Sequence, residues 1–182
     1  MNKNNLALLV LRGTFGLLLM GHGSQKLFGV FRGNGFTKTV AWLESIGLRP
    51  GHPWAALAST SEGLGGLLTV LGLLDPIGPI ITMGAMGMAA IRVHGGKPIW
   101  VSEGGAEFPI TNLAIATALA LTGPGDLSLD RAFTIRLPGW VGPAAFALTA
   151  AGLALGLQRS APLAAPAAEQ ATPAASATTA PI

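Results

Sequence analysis

Five apolar stretches, separated by short polar segments, dominate the pattern of the chain. They cover residues 6–28, 54–74, 77–94, 109–123 and 140–157. An α-helix that crosses a bilayer needs about 20 mostly apolar residues, with a range of roughly 17–25. The stretch at 109–123 is the shortest of the five. The pattern therefore predicts an all-α transmembrane helix bundle with five spans.

Two other segments have a different character. Residues 36–46 have amphipathic helical spacing, which predicts a short helix lying at the membrane interface. Trp42 and Trp54 lie before and after the break at 47–53, and both suit the headgroup boundary, where aromatic rings collect. Residues 159–182 are rich in Ala, Pro and Thr and cannot bury enough apolar area to offset the entropy of ordering. We therefore expect the bundle to occupy residues 1–158 and the tail at 159–182 to be disordered.

The first apolar stretch could also be a secretory signal peptide, with Lys3 as its basic region. Against that interpretation, Arg12 interrupts the apolar run, no small-residue cleavage site follows it, and further apolar stretches come later. We therefore expect a retained membrane helix.

Composition supports a membrane protein and excludes several other classes. Charged residues make up 10% of the 182 residues, whereas a soluble domain carries about 25%. The 11 basic residues barely exceed the 8 acidic ones, and no basic run with interleaved aromatic residues indicates nucleic-acid binding. Cysteine is absent, so the chain has no disulfide and no thiol relay. Any electron chemistry must therefore belong to a bound molecule.

The polar residues of the apolar stretches sort to one side of the membrane when successive helices alternate in direction. The residues expected on that side are His22, Gln25, Lys26, Glu62, Arg92, His94, Glu107 and Asn112. His22 and Lys26 are four residues apart and share a helix face. The other side is expected to hold the remaining charges near the spans: Lys3, Asp75, Asp126, Asp130, Arg131 and Arg136, with Arg12 buried nearby.

Such a group of residues suits binding of a small anion or of a quinone head group. We expect His22, Glu62 and His94 to be catalytic and to handle protons. Substrate binding is expected from the other members of the group: Gln25, Lys26, Arg92, Glu107 and Asn112. No metal site is expected, and quinone is the candidate cofactor.

Three alternatives stay open for these side chains. His22 and His94 could be the axial ligands of a haem. Lys26 could be an anchor that extends to the interface without any chemistry. Glu62 and Arg12 could each form a structural ion pair or an interhelical hydrogen bond.

Several short motifs carry a resemblance to a known family. They are Arg12 with Gly16, His22-Gly23-x-x-Lys26-Leu27-Phe28-Gly29, Glu62-Gly63-x-Gly65-Gly66, Val93-His94 and Gly123-x-Gly125-x-x-Ser128-Leu129-Asp130. Together, in order over about residues 6–131, they resemble the DoxX family of small bacterial membrane proteins. The resemblance implies a four-helix membrane core, so that residues 140–157 form a fifth helix outside it. It also implies a multi-pass protein of the bacterial inner (plasma) membrane.

The resemblance further implies a redox role. Similar proteins include the large-subunit type of thiosulfate:quinone oxidoreductase and a component of a mycobacterial membrane oxidoreductase complex that acts with superoxide dismutase and a sulfurtransferase. The chain departs from many relatives at Gly95-Gly96-Lys97-Pro98, where they have an apolar segment with Asn-Gly-Phe.

Two hypotheses follow about function. In the first, the chain is a redox-associated subunit that couples oxidation of a small sulfur compound to a membrane quinone, with Lys26 and Arg92 holding the anion. In the second, it is a non-catalytic membrane anchor or partner of a soluble redox enzyme. A transporter is a distant third, because no inverted repeat or broken helix pair is visible. The expected partners are the lipid bilayer, a small anion or quinone, and a soluble redox enzyme, with no nucleic acid.

Overall fold

A computed structural model describes residues 3–160 of the chain, and all the regular secondary structure of this part is helical. The helices are α1 (Lys3–Phe28), α2 (Gly35–Ser45), α3 (Gly51–Leu71), α4 (Ile77–Met88), α5 (Glu107–Thr122), α6 (Leu129–Ala132) and α7 (Val141–Arg159). A π-helical turn, Ala89–Val93, continues α4, and a 3₁₀ turn, Val101–Glu103, precedes α5. The prediction of an all-α fold is confirmed.

The bundle has a four-helix core made of α1, α3, α4 and α5. Helix α1 packs chiefly on α3, α3 packs on α4, and α4 packs on α5, which also touches α1. The short helix α2 covers one end of the α1–α3 pair, and α7 packs on α4 from outside the core. The fifth helix therefore has a single main neighbour, as expected for an addition to a four-helix unit.

Helices α1 and α3 approach so closely because glycines face each other across their interface. A Cβ atom on Gly16 would lie 2.6 Å from the carbonyl oxygen of Gly66, and a Cβ on Gly23 would overlap the backbone of Gly63. Small residues at helix contacts are typical of membrane bundles, where van der Waals packing replaces the hydrophobic effect as the force between helices.

Apolar side chains lie both inside and outside the bundle. The interior cluster joins three helices through Phe15, Leu19, Met86, Ala116 and Leu119. Other large apolar side chains point outward and are exposed, among them Leu17, Leu18, Leu64 and Leu148. An exterior as apolar as the interior fits a protein surrounded by lipid.

Length and composition mark α1 and α7 as candidate membrane spans, while Ile77–Val93 and α5 are shorter apolar helices. Helix α3 has 21 residues but is not apolar enough throughout to meet the same criterion. Its buried face explains this, because it carries Ser59, Glu62 and Thr69.

The observed helix bounds differ from the predicted stretches by a few residues. Helix α3 begins at Gly51 and α5 begins at Glu107, both earlier than predicted, and α7 continues to Arg159. The amphipathic segment at 36–46 forms α2. Beyond Ser160, the predicted tail lies outside the described residues.

The glycine contact generates a stability prediction. Gly16→Ala should lower the free energy of unfolding by about 1–3 kcal/mol, the usual cost of overpacking, because its new methyl group meets the backbone of α3. Gly13→Ala, one turn earlier in α1, is the matched control, since no atom lies within 4 Å of its added Cβ. That control should be neutral or gain up to about 1 kcal/mol in helix propensity. Unfolding of both variants in detergent would be compared with that of the wild type, and equal stability of the two would contradict the packing interpretation.

Candidate functional site

A charged pair crosses the α1–α3 interface at the last turn of α1. The Nζ atom of Lys26 lies 2.5 Å from both carboxylate oxygens of Glu62. The Glu62 side chain is 4% exposed and that of Lys26 is 28% exposed. Gly23 and Gly63 allow the backbones of α1 and α3 to approach each other here. Gly63 follows Glu62 directly, and Gly23 lies three residues before Lys26. A carboxylate buried beside lipid needs a partner, and Lys26 supplies it.

A polar pocket of about 330 Å³ opens above this pair, between the end of α1 and the start of α2. Its lining consists of His22, Gln25, Lys26, Arg32, Gly33, Asn34, Thr39 and Trp42. Three of these residues can carry positive charge, and none can carry negative charge. Amide and hydroxyl groups make up most of the remaining polar lining. The pocket therefore suits a small anion that accepts hydrogen bonds from several sides.

Local contacts hold the pocket in shape. The Gln25 amide donates a hydrogen bond to the Phe31 carbonyl at 3.3 Å, which ties α1 to the turn that follows it. The hydroxyl of Thr39, from α2, reaches the Lys26 carbonyl at 3.3 Å. On the other flank, the His22 ring packs against Phe108 of α5 with 5.6 Å between ring centroids.

The other predicted site residues lie at the same end of the bundle but outside the pocket lining. Arg92, in the π turn, donates to the Ile46 carbonyl at 3.1 Å. The Nδ1 atom of His94 lies 2.7 Å from the Gly104 carbonyl, so Nδ1 carries a hydrogen and donates it to that acceptor. Both side chains fasten loops to the bundle.

Glu107 and Asn112 also make backbone contacts. Glu107 accepts a hydrogen bond from the Val101 amide at 2.9 Å, which holds the 3₁₀ turn against α5. Asn112 is buried and donates to the Phe108 carbonyl at 2.9 Å. The structure thus brings His22, Gln25, Lys26 and Glu62 together and gives the remaining four residues contacts of their own.

Sequence reasoning did not select Arg32, Asn34 or Thr39, although all three line the pocket. In the sequence, Arg32 and Asn34 are isolated polar residues between two predicted helices, and Thr39 lies within the amphipathic segment at 36–46. Gly29, Gly33 and Gly35 were the available signal, because a glycine-rich turn allows the chain to fold back on α1. Two of them, Gly29 and Gly35, have positive φ angles.

A second polar cluster lies at the opposite end of the α1–α3 pair. The buried guanidinium of Arg12 donates to the carbonyls of Pro124 at 2.7 Å and of Leu127. It also fills the space beside Gly72, where any Cβ would overlap it. Arg12 therefore joins α1 to the loop that follows α5 through hydrogen bonds.

Asp130 organises the turn between α3 and α4 in this cluster. Its carboxylate accepts hydrogen bonds from the amides of Leu74 and Asp75, both at 2.8 Å, and its own amide donates to the Gly72 carbonyl. Burial is the main cause that raises the pKa of Asp75 to about 7, with a further contribution from the Asp130 carboxylate, while Arg12 acts in the opposite direction.

Residues 3–160 contain no group of three or more His, Cys, Asp or Glu side chains that could hold a metal ion. The described residues thus form a polar pocket with three potentially cationic side chains over a buried ion pair, and a hydrogen-bonded cluster at the other end of the bundle.

Comparison with known proteins places this chain in a family. The DoxX family model matches residues 7–95. The inner membrane protein YphA of Escherichia coli (strain K12) is 33% identical over 114 residues, which span 58% of this chain and 79% of that protein. The chain belongs to the DoxX family. It is an integral protein of the bacterial inner membrane, as the resemblance implied. No solved structure matches it.

The part matched by the DoxX model contains α1 from residue 7 onward, α2 to α4 and the π turn. It includes both members of the Lys26–Glu62 pair and all eight residues that line the pocket. Helices α5 to α7 lie beyond the matched residues.

The ion pair generates a prediction about stability. Lys26→Met should lower the free energy of unfolding by up to about 3 kcal/mol, because it leaves the Glu62 carboxyl buried without its partner. Glu62→Gln should cost less, since the part-exposed ammonium can extend toward water. The double variant Lys26→Met/Glu62→Met should recover most of the loss.

The matched control for these variants is Arg131→Ala, which breaks the ion pair Arg131–Asp126, whose side chains are both 67% exposed. An exposed pair contributes only about 0–1 kcal/mol. Thermal unfolding in lipid nanodiscs would measure all four proteins. A double variant that is no better than Lys26→Met would argue against a direct pair.

The raised pKa of Asp75 generates a prediction about pH. The folded protein binds the Asp75 proton more tightly than the unfolded chain, whose reference value is 3.8. The stability that this proton provides is complete below about pH 4 and is lost as the pH rises through about 7. Asp75→Asn should therefore gain in unfolding temperature relative to wild type over that interval. A constant difference between the two proteins across this range would contradict the shift.

Proposed function

We propose that this DoxX-family protein is the membrane subunit of a quinone-linked oxidoreductase that oxidises a small sulfur oxyanion. The observation that carries the proposal is the polar pocket at the end of α1, which has three potentially cationic side chains and no carboxylate in its lining. Thiosulfate and sulfite are small, doubly charged oxyanions of suitable chemistry. Arg32 offers a planar fork of donors for two of their oxygens, and Gln25 and Asn34 offer amide donors.

The pair beneath the pocket supplies proton chemistry to this proposal. Lys26 lines the pocket and also touches the buried Glu62 carboxylate. A bound anion competes with that carboxylate for the ammonium group, so occupancy of the pocket is coupled to the contact between Lys26 and Glu62. His22 lies in the same lining, and its imidazole can both accept and donate a proton. Together they can hold and release protons at the membrane boundary.

The quinone acceptor requires an apolar site, and the chain offers one. A groove of about 250 Å³ lies between α3, α4 and α7, with Trp54, Met88 and Leu153 in its walls. Ser61 and Thr149 contribute its hydroxyl groups, and Ser61 is the neighbour of Glu62 in α3. These residues fit the ring of a quinone whose tail remains in lipid. When bound, the quinone supplies the acceptor for two electrons and two protons.

The overall reactions balance without a further cofactor. Sulfite and water yield sulfate, two protons and two electrons, and two thiosulfate ions yield tetrathionate and two electrons. One quinone takes up the two electrons and two protons to form the quinol; sulfite oxidation releases both protons, whereas in thiosulfate oxidation they come from the surrounding water.

A second candidate function is a membrane anchor for a soluble redox enzyme. The loop before α5 lies at the same end as the pocket and exposes Ile99, Trp100 and Val101, with 50%, 60% and 63% of their surfaces accessible. This apolar tip is held in place by Glu107 and could bind a partner protein or the bilayer surface. The absence of cysteine also favours a partner that performs the chemistry.

The experiment measures reduction of a short-chain ubiquinone analogue by thiosulfate and by sulfite, with the purified full chain in lipid nanodiscs. Arg32→Gln should raise KM by about tenfold with little change in kcat, since it weakens binding of the anion. His22→Ala should lower kcat by about 10²-fold or more, as expected for loss of a proton-transfer group.

The control variant is Lys38→Ala, which removes an exposed cation of α2 outside the pocket lining and should leave both constants unchanged. Folding of each variant would be checked by its unfolding temperature. If folded wild-type protein reduces no quinone with either donor, the enzymatic proposal fails. Co-purification of a soluble redox enzyme that is lost in Trp100→Ala would then support the anchor.

A further inference from the structure

We propose that the cavity between α4, α5 and the start of α7 is a binding site for a lipophilic organic cation, held by the carboxylate of Asp75. This site lies at the opposite end of the bundle from the polar pocket. It is independent of the oxidoreductase proposal.

The cavity has a volume of about 480 Å³ and a nearly apolar lining. This volume falls within the range of about 300–1,000 Å³ that is usual for small-molecule sites. Ile80 and Met83 of α4 form its floor, and Leu121 of α5 and Phe146 of α7 lie at its sides. Leu121 is 82% exposed and Phe146 is 56% exposed, so the cavity is open along the bundle exterior. Asp75 is the one charged residue in the lining.

The charges around Asp75 do not cancel. Arg12, from α1, directs its guanidinium to the carbonyls of Pro124 and Leu127. Asp130, from α6, uses its carboxylate to accept two backbone amide hydrogen bonds. Asp75 makes no ion pair with another residue in the range 3–160, unlike Glu62, which pairs with Lys26, and Asp126, which pairs with Arg131. One guanidinium beside two carboxylates leaves a net charge of about −1 when both are ionised.

The carboxylate of Asp75 and the apolar walls of the cavity together determine which kind of ligand fits. An ionised carboxylate beside an apolar wall is costly without a counter-charge, so a cation is favoured. A small hydrated cation would leave the apolar walls uncovered, whereas a cation with an aromatic or aliphatic body covers them and compensates the carboxylate. An anion of the same shape would be repelled, and a neutral lipid chain would leave the carboxylate uncompensated.

The charge of the site depends on pH through Asp75. Burial and the Asp130 carboxylate raise its pKa to about 7, and Arg12 partly opposes them. Helices α4, α5 and α7 contribute no other titratable group to the cavity lining. Binding of a cation should therefore strengthen as the pH rises through neutrality, because the carboxylate loses its proton.

The test measures binding of tetraphenylphosphonium to the full chain in phosphatidylcholine nanodiscs by equilibrium dialysis, with empty nanodiscs as the correction for partitioning into lipid. Apparent affinity should rise about tenfold between about pH 6 and 8.5, because the competent, ionised fraction rises by that factor for a pKa near 7. Asp75→Asn should abolish both the saturable binding and its pH dependence. The matched control Asp126→Asn, an exposed carboxylate at the same end, should bind as wild type does.

A second variant tests the cavity without changing its charge. Ala120→Phe fills the cavity from α5 and should prevent binding even though Asp75 is present. Tetraphenylborate, an anion of the same shape, should show no saturable binding at either pH. Saturable cation binding that survives in Asp75→Asn or in Ala120→Phe would overturn the proposal. Absence of saturable binding by wild type would also overturn it, and the mass of the purified chain would then show whether a second copy covers this face.

Discussion

The close contact between the backbones of α1 and α3 is the constraint on which the rest of the structure depends. Gly16 and Gly66 meet in the middle of this interface, and Gly23 and Gly63 meet near one end. At that separation the two helices have one register, because any slide would bring a side chain against the opposite backbone. The register in turn determines which charged residue of α1 faces which residue of α3.

Charged side chains are stabilised in different ways at the two ends of this helix pair. Lys26 and Arg12 are 14 residues apart in α1, or about 21 Å at 1.5 Å per residue. At one end an ammonium neutralises a buried carboxylate, and at the other end a guanidinium and a carboxylate are each satisfied mainly by backbone groups. Both arrangements keep charge off the lipid-facing surface, where burial without a partner is costly. Asp75 is an exception, since it borders an apolar cavity and makes no ion pair with the described residues.

The fold was largely predictable from the sequence, whereas the site was predictable only in part. The apolar stretches indicated membrane helices, because bilayer thickness sets the length of a spanning helix. The spacing of apolar residues at 36–46 indicated an amphipathic helix. Alternating helix direction also indicated that Lys26 and Glu62 would lie at one end. It could not show that Arg92 and His94 would bind backbone carbonyls, because loop conformation between helices leaves no periodic signal. For the same reason, the sequence showed Asp130 at the end of a short motif but did not show that its carboxylate accepts hydrogen bonds from the amides of Leu74 and Asp75.

The polar face of α3 has a consequence for how the protein is made. Ser59, Glu62 and Thr69 are buried against neighbouring helices in the finished bundle, but a newly synthesised α3 would present them to lipid on leaving the translocation channel. Helix α1 precedes it in the chain and already carries Lys26 and the matching glycines. Integration of α3 therefore depends on its leaving the channel in contact with α1, so that the ion pair forms during biogenesis and not after it. The helical hairpin, more than the single helix, is the unit of membrane insertion here.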